Sequence, residues 1–434
     1  MVNVDFAARL GVAVGRWLPK RGTVLIGRDT RQSGPALEVA VARGLRMADA
    51  EPVSLGILAT PAVARAVRIR KAVLGLVVTA SHNPATDNGI KLFGPGGLKL
   101  SDADELEIEQ LLPERVPDVE RVGQVSPAEA DGLAVADYVA VAQGVLAPGS
   151  LAGWRIALDT ANGSTCRTSP VVLQALGAEL TLIGDAPDGR NINLGVGSEN
   201  PGALAACVGD SGMRLGIAHD GDGDRCVLCD ERGQLLDGDE ILTLLAVHAL
   251  ENGRLARQVL VVTQQSNLGV DAAVAAAGGR VVRTSVGDRY VVERMRAEGA
   301  SIGGESSGHI IFREYSTTGD GLIAALKVIE IMLATGCPLS DLRRRLRKFP
   351  QRILAVPVRE KIPLGRLPAL AATMRVVEGE IGPQGRVFVR YSGTENKLRL
   401  LVEGPDDRRV EAGMERLRAA VAEEGLDRAD RPAP

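Results

Sequence analysis

Three times along this chain an apolar, β-branched run ends in a polar turn and gives way to a helical pattern. Val24–Gly27 ends at Arg28-Asp29-Thr30, Arg155–Leu158 ends at Asp159-Thr160, and Val259–Val262 ends at Thr263-Gln264-Gln265-Ser266. Short apolar runs bounded by turn residues predict buried strands, and strands alternating with helices predict α/β layers. The runs start near residues 24, 155 and 259, a spacing too long for a solenoid and fitting a domain-sized repeat. A further strand is predicted at Val73–Thr79. Ser33 is predicted to cap a helix with Pro35 in its first turn. The end of the chain differs. Arg352–Val358 reads as a strand, Leu364–Val377 as a helix, Arg386–Tyr391 and Leu398–Glu403 as strands, and Asp406–Glu424 as a closing helix. That order predicts a small α+β domain, with a loose tail at Ala429–Pro434.

A chain of 434 residues is too long for one core. A net charge of −3 argues against a nucleic-acid-binding surface. The start carries no basic stretch followed by an apolar run, and no stretch of about 18 apolar residues occurs, so neither a signal peptide nor a membrane span is predicted. Five cysteines, few and odd in number, fit a reduced, cytoplasmic protein.

Four motifs carry chemistry. Thr79-Ala80-Ser81-His82-Asn83-Pro84 follows a strand, where a serine can be presented openly to a ligand. Asp220-Gly221-Asp222-Gly223-Asp224-Arg225 links two strand patterns. Its three carboxylates repel one another unless a cation neutralises them, and the glycines let the loop curl so that all three face one point. Oxygen ligands of this kind suit Mg²⁺. The alternative, a calcium loop of EF-hand type, fails because Arg225 stands where Gly is required and the flanks read as strands. Arg225 points instead to an anion beside the metal. Gly303-Gly304-Glu305-Ser306-Ser307-Gly308-His309 offers a carboxylate, hydroxyls and an imidazole to sugar hydroxyls. Arg390-Tyr391-Ser392-Gly393-Thr394-Glu395-Asn396, with Arg399 beyond, offers amides, hydroxyls and two guanidiniums to a phosphate. Taken singly, each of the first, third and fourth motifs also reads as a polar turn. Cys226 and Cys229 read as core thiols, because positions three apart on a strand face opposite sides. The basic run Arg343–Lys348 reads as a solvated helix face.

In this order the four motifs resemble the α-D-phosphohexomutase superfamily. The resemblance runs from Gly27-Arg28-Asp29-Thr30-Arg31-Gln32-Ser33-Gly34 to Arg399. Thr284-Ser285-Val286-Gly287-Asp288-Arg289-Tyr290-Val291 and Gly304–His309 look like the bacterial phosphoglucosamine mutase branch. The resemblance implies a heart-shaped enzyme of three related α/β/α domains with mixed sheets and a smaller C-terminal α+β domain. The boundaries expected are 1–145, 146–245, 246–350 and 351–434. It implies interconversion of glucosamine 6-phosphate and glucosamine 1-phosphate through phospho-Ser81 and a 1,6-bisphosphate that also serves as activator. Phosphomannomutase or phosphoglucomutase activity, or a weakened sugar-phosphate-binding homologue, are the alternatives.

By the same resemblance, Ser81, His82, Lys91 and Arg225 are candidate catalytic residues. One Mg²⁺ is held by the Ser81 phosphate with Asp220, Asp222 and Asp224. Glu305 and Ser307, with His309, bind the sugar, and Arg390, Ser392, Gly393, Thr394 and Arg399 hold the non-reacting phosphate in a loop that closes over substrate. The chain is expected to be a monomer or homodimer acting on a small sugar phosphate. It departs from the family pattern at Ser306, where glutamine is common, and at Asn396, where proline is common. It also starts after the usual Phe-Gly-Thr-Asp-Gly-x-Arg-Gly strand, so a strand of the first domain and an arginine are expected to be missing.

Overall fold

The computed structural model describes residues 2–115, 132–209, 211–392 and 396–426. It divides into two units, Met1–Gln264 with Ala277–Arg345 and Gln265–Ala276 with Leu346–Pro434.

The first unit holds three sheets. The first contains β1 (Thr23–Arg28), β2 (Glu51–Ile57), β3 (Leu74–Val78) and β4 (Ile90–Phe93), in the order β2-β1-β3-β4. The second contains β5 (Arg155–Asp159), β6 (Glu179–Ile183), β7 (Leu215–His219), β8 (Cys226–Asp230) and β9 (Leu235–Leu236), in the order β6-β5-β7-β8-β9. The third contains β10 (Val259–Thr263), β11 (Arg280–Thr284), β12 (Ile302–Gly304) and β13 (Ile310–Phe312), in the order β11-β10-β12-β13. In each, three parallel strands are followed by a fourth that returns antiparallel: β3 to β4, β7 to β8 and β12 to β13. The faint repeat in the sequence is therefore a repeat of topology. The strands β3, β7 and β10 are buried along their whole length, as expected for parallel strands covered on both faces.

Tight packing replaces aromatic bulk beside the first sheet. Helices Val4–Trp17 and Gly34–Met47 meet at Gly11 and Gly44. A Cβ on Gly44 would lie 2.1 Å from the Ala8 carbonyl oxygen, so only glycine fits there.

Three sequence expectations are corrected. Ser33 does precede the helix Gly34–Met47, but its side chain does not cap it. Its hydroxyl bonds Asn88 Oδ1 at 2.5 Å instead. The helix expected over Leu364–Val377 is a 3₁₀ turn, Leu364–Arg366, followed by a helix Pro368–Ile381. Pro368 lacks an N–H and so sits at a helix start rather than inside one. Arg343 is turned inward and not part of a solvated face. It pairs with Glu240 at 2.6 Å and Asp230 at 3.1 Å, both buried carboxylates that need a cation. Cys226 and Cys229 are buried free thiols on β8, as expected. The expected loose tail, Ala429–Pro434, lies outside the described residues.

The second unit carries an antiparallel sheet of β14 (Gln351–Pro357), β15 (Arg386–Tyr391) and β16 (Lys397–Glu403), in the order β14-β16-β15. Val356, Leu370, Val377, Leu398, Leu400 and Leu417 form its core with helices Pro368–Ile381 and Asp407–Glu423. Asp406 caps the second helix by accepting from the Arg409 N–H.

Asp320 opens the helix Gly321–Thr335 and links it to the helix Gly132–Gln143. It accepts from the Ile323 N–H at 3.0 Å and the Tyr138 hydroxyl at 2.8 Å. Burial pushes its carboxyl up to about 6. The native carboxyl therefore keeps a proton that the unfolded one, near 3.8, has lost. Its contribution to stability must fall as pH rises between these values. Asp320→Asn, which retains an acceptor for both donors, is expected to remove that slope. The stability of wild type relative to the variant should drop by about 1–3 kcal/mol between pH 4 and pH 7 in denaturant titrations. A difference that does not change with pH would refute the assignment.

Candidate active site

The predicted serine turn is the loop from β3 to β4, closed by the Thr79 N–H on the Gly89 carbonyl at 3.0 Å. Ser81 has φ of +51°, unusual for a residue with a Cβ. Its conformation is over-determined by neighbours. Its N–H donates to Thr79 Oγ1 at 2.9 Å, and its carbonyl accepts from Asn193 Nδ2 at 2.9 Å and Arg31 Nη2 at 3.2 Å. Arg31 is buried and paired with Asp29 at 2.9 Å. It also donates to the carbonyls of Pro84, Asn83 (2.8 Å) and Asp87 (3.0 Å). One guanidinium thus holds four carbonyls of the loop. Burial raises the Asp29 carboxyl even against the Arg31 charge.

The acidic loop runs from β7 to β8. One oxygen of each of Asp220, Asp222 and Asp224 lies within 4.8 Å of the others, and all three residues are buried. The two glycines act differently. Gly223 has φ of +73°, the left-handed turn expected from the sequence. Gly221 instead allows close approach, since a Cβ there would lie 2.6 Å from the Ser81 carbonyl oxygen. The two loops are joined by the Ser81 hydroxyl, which donates to Asp220 Oδ2 at 2.6 Å. Lys91, on β4, donates to Asp222 Oδ2 at 2.5 Å and Asp224 Oδ2 at 2.7 Å. Thr60 adds its hydroxyl to Asp222 Oδ2.

The charges set one another. Burial and the neighbouring Asp224 and Asp222 push the Asp220 carboxyl well above its usual range. Burial alone would raise Asp224 too, but Lys91 and Arg225 hold it far below. Burial opposes the charge on Lys91, and Asp222 and Asp224 outweigh it, so the ammonium stays charged. Asp222 Oδ1 and Asp224 Oδ1 are buried with no hydrogen-bond donor. Such oxygens are costly unless something coordinates them, so the triad fits an oxygen-ligated divalent cation.

Arg225 donates its N–H to Asp220 Oδ1 at 3.3 Å and its Nη1 to Glu199 Oε1 at 3.1 Å. His82 is half-buried, and its Nδ1 has no partner. Burial, then the Arg225 charge, lowers its pKa and favours the neutral ring.

The third motif is the loop from β12 to β13. Glu305 is fixed by the Gly287 N–H, which donates to its Oε1 at 3.0 Å. Ser306 accepts at its carbonyl from the Gly238 N–H at 3.0 Å, and Ser307 is half-buried. His309, expected to reach sugar, is buried. Its Nε2 accepts from the Gly319 N–H at 3.1 Å and lies 3.4 Å from Asp288. It pairs by backbone with Arg225, and so ties the third loop to the acidic one. Burial would raise the Asp288 carboxyl, but the Lys99 ammonium holds it at about 2.

In the second unit, Arg390 and Arg399 stand directly opposite each other on β15 and β16. Like charges in that register destabilise the pair on their own account. Ser392 is buried and donates its N–H to the Lys397 carbonyl at 2.8 Å. Gly393 and Thr394 lie outside the described residues. Asp29, Arg31, Thr60, Asn193 and Glu199 carry the site without having been picked out as site residues. Only Asp29 and Arg31 had a signal, lying in the matched segment after the first strand.

The sequence matches phosphoglucomutase/phosphomannomutase alpha/beta/alpha domain I over residues 1–116, domain II over 137–233, domain III over 237–349 and the C-terminal domain over 353–420. The chain belongs to this family of phosphohexomutases. Within it, the phosphoglucosamine mutase of Halorhodospira halophila is 43% identical over 94% of this chain and 90% of its own. That of Moorella thermoacetica is 44% identical over 96% of both chains. A crystal structure of a phosphoglucomutase/phosphomannomutase family protein from Burkholderia thailandensis superposes with a TM-score of 0.81 at 25% identity, covering 98% of this chain and 94% of that one.

Removing Arg31 should loosen the serine loop. Arg31→Ala leaves Asp29 buried without a cation and takes one donor from each of four carbonyls, three of which keep another, at a cost of about 3–5 kcal/mol. Its unfolding midpoint should fall, and protease should cut within residues 81–88 first. The double variant Asp29→Asn/Arg31→Met, with no orphaned charge, should regain part of the loss. A wild-type midpoint for Arg31→Ala would show that the pair does not hold the loop.

Proposed function

We propose that this chain is a phosphoglucosamine mutase that interconverts glucosamine 6-phosphate and glucosamine 1-phosphate. The observation that carries its chemistry is the Ser81 hydroxyl, 2.6 Å from Asp220 Oδ2 at the edge of the buried carboxylate triad. A phosphoryl group on Ser81 Oγ passes to the free hydroxyl of the sugar monophosphate. The P–Oγ bond breaks, a bond from phosphorus to the sugar oxygen forms, the hydroxyl proton leaves to a base, and Ser81 Oγ takes up a proton as it leaves. His82, beside Ser81 with a neutral ring and a buried, unpartnered Nδ1, is the candidate base. The resulting 1,6-bisphosphate returns its other phosphoryl group to Ser81 after turning over. Lys91 and Arg225 face the phosphoryl oxygens with fixed positive charge. Asp220, Asp222 and Asp224 would hold one Mg²⁺, which when bound neutralises charge on the transferring group. Glu305 and Ser307 grip sugar hydroxyls, and Arg390, Ser392 and Arg399 hold the non-reacting phosphate.

No single helix among the described residues is long and apolar enough to cross a membrane. A cytoplasmic enzyme fits that observation and the free thiols.

Three measurements test the proposal. Intact-mass spectrometry should find about one phosphate per chain, lost in Ser81→Ala together with mutase turnover. Catalytic efficiency should be higher on glucosamine 6-phosphate than on mannose or glucose phosphates. The reverse preference would place the chain in another branch. Asp222→Asn should weaken Mg²⁺ binding, read by calorimetry, and slow turnover by about 10²-fold or more while the fold survives. Unchanged Mg²⁺ affinity would remove the triad from the metal site.

A further inference from the structure

The guanidinium of Arg225 is only partly satisfied. Its Nη1 donates to Glu199 Oε1 at 3.1 Å, while its Nε is buried with no hydrogen-bond partner. The nearest Asp224 oxygen lies 3.9 Å from that Nε, too far for a hydrogen bond. The Arg225 side chain is 20% exposed, but that of Glu199 is 46% exposed. The pair therefore joins a fixed cation to a carboxylate that can return to water cheaply. Glu199 sits in the loop after β6, in Ser198-Glu199-Asn200-Pro201. Among the described residues, no hydrogen bond other than that to Arg225 holds its carboxylate, and it is absent from the acidic triad.

We propose that Glu199 is an internal counter-anion for Arg225, displaced by the oxygens of the phosphoryl group transferred at Ser81 whenever that group is in place. This rests on the assignment of Arg225 to the phosphoryl group given above. The carboxylate keeps the guanidinium aimed into the site while no phosphoryl group stands there. A phosphate monoester then competes for the same fork. It brings a charge near −2 against −1 for the carboxylate, and enough oxygens to engage Nη1 and the orphaned Nε together. Phosphate affinity is thus set below what the bare arginine would give, and bound phosphosugar can leave or turn over as the carboxylate returns. Glu199 is a positioning residue that acts through Arg225, with no part in bond making.

The test is Glu199→Gln, which keeps shape and removes charge. Binding of inorganic phosphate, titrated calorimetrically at fixed Mg²⁺ and low salt, should tighten about 3–10-fold. The gain should shrink at high ionic strength. The concentration of 1,6-bisphosphate that half-activates the dephosphorylated enzyme should fall by a similar factor, with kcat unchanged or lower because the bisphosphate turns over more slowly. In an Arg225→Ala background the same substitution should leave phosphate affinity unchanged. Weaker or unaltered phosphate binding in Glu199→Gln would overturn the proposal, as would an equal gain without Arg225. If wild type turns over no sugar phosphate, the mutase assignment fails, but the phosphate titrations still decide the role of Glu199.

Discussion

Three buried carboxylates within 4.8 Å of one another are the constraint on which the rest of the first unit is organised. Left alone their charges would repel one another. Two other parts of the fold bring compensating groups to them. The first sheet sends Lys91 from β4 and the Ser81 hydroxyl from the loop before it. The third sheet sends His309, which approaches Asp224 to 3.7 Å. The acidic loop is therefore also a clasp. Removing its charge would loosen contacts among three sheets as well as a metal site.

The repeated topology explains why these groups meet. The Ser81 loop, the acidic loop and the Glu305 loop all connect the third strand of a sheet to its antiparallel fourth. Each begins at the carboxyl end of a parallel strand, the edge where α/β folds place ligand chemistry. One structural position was thus used three times, once for a hydroxyl, once for three carboxylates and once for a carboxylate with hydroxyls. The close approach permitted by Gly221 completes the junction, because any side chain there would strike the Ser81 carbonyl.

Much of this is legible in the residues. The buried parallel strands announce themselves as β-branched runs, and β1, β5 and β10 fall where those runs lie. The acidic loop is legible because three aspartates spaced only by glycines repel one another and need a cation to sit together. Arg31 is harder to find. A buried arginine gripping four carbonyls looks in sequence like any surface arginine, and its partners Ser81, Asn83, Pro84 and Asp87 are about 50 positions away. The same difficulty hides Arg343, whose partners Asp230 and Glu240 lie on other elements. His309 misleads for the opposite reason: a histidine in a polar loop suggests exposure, yet its ring is buried and its Nε2 accepts from the Gly319 N–H.

The distribution of charge also separates permanent from exchangeable interactions. Asp29 with Arg31 is sealed from water, so neither partner can leave without a large penalty, and the pair serves to fix the Ser81 backbone. Lys91 bridges Asp222 and Asp224 under nearly the same constraint. Glu199 differs, because one face of its pair with Arg225 is open to solvent. A site that binds and releases doubly charged ligands needs both kinds. Fixed pairs keep the reacting oxygen in place, and an exchangeable pair lets a cation pass from a protein anion to a phosphoryl group without ever standing bare. The degree of burial, rather than the count of charges, assigns each pair its part.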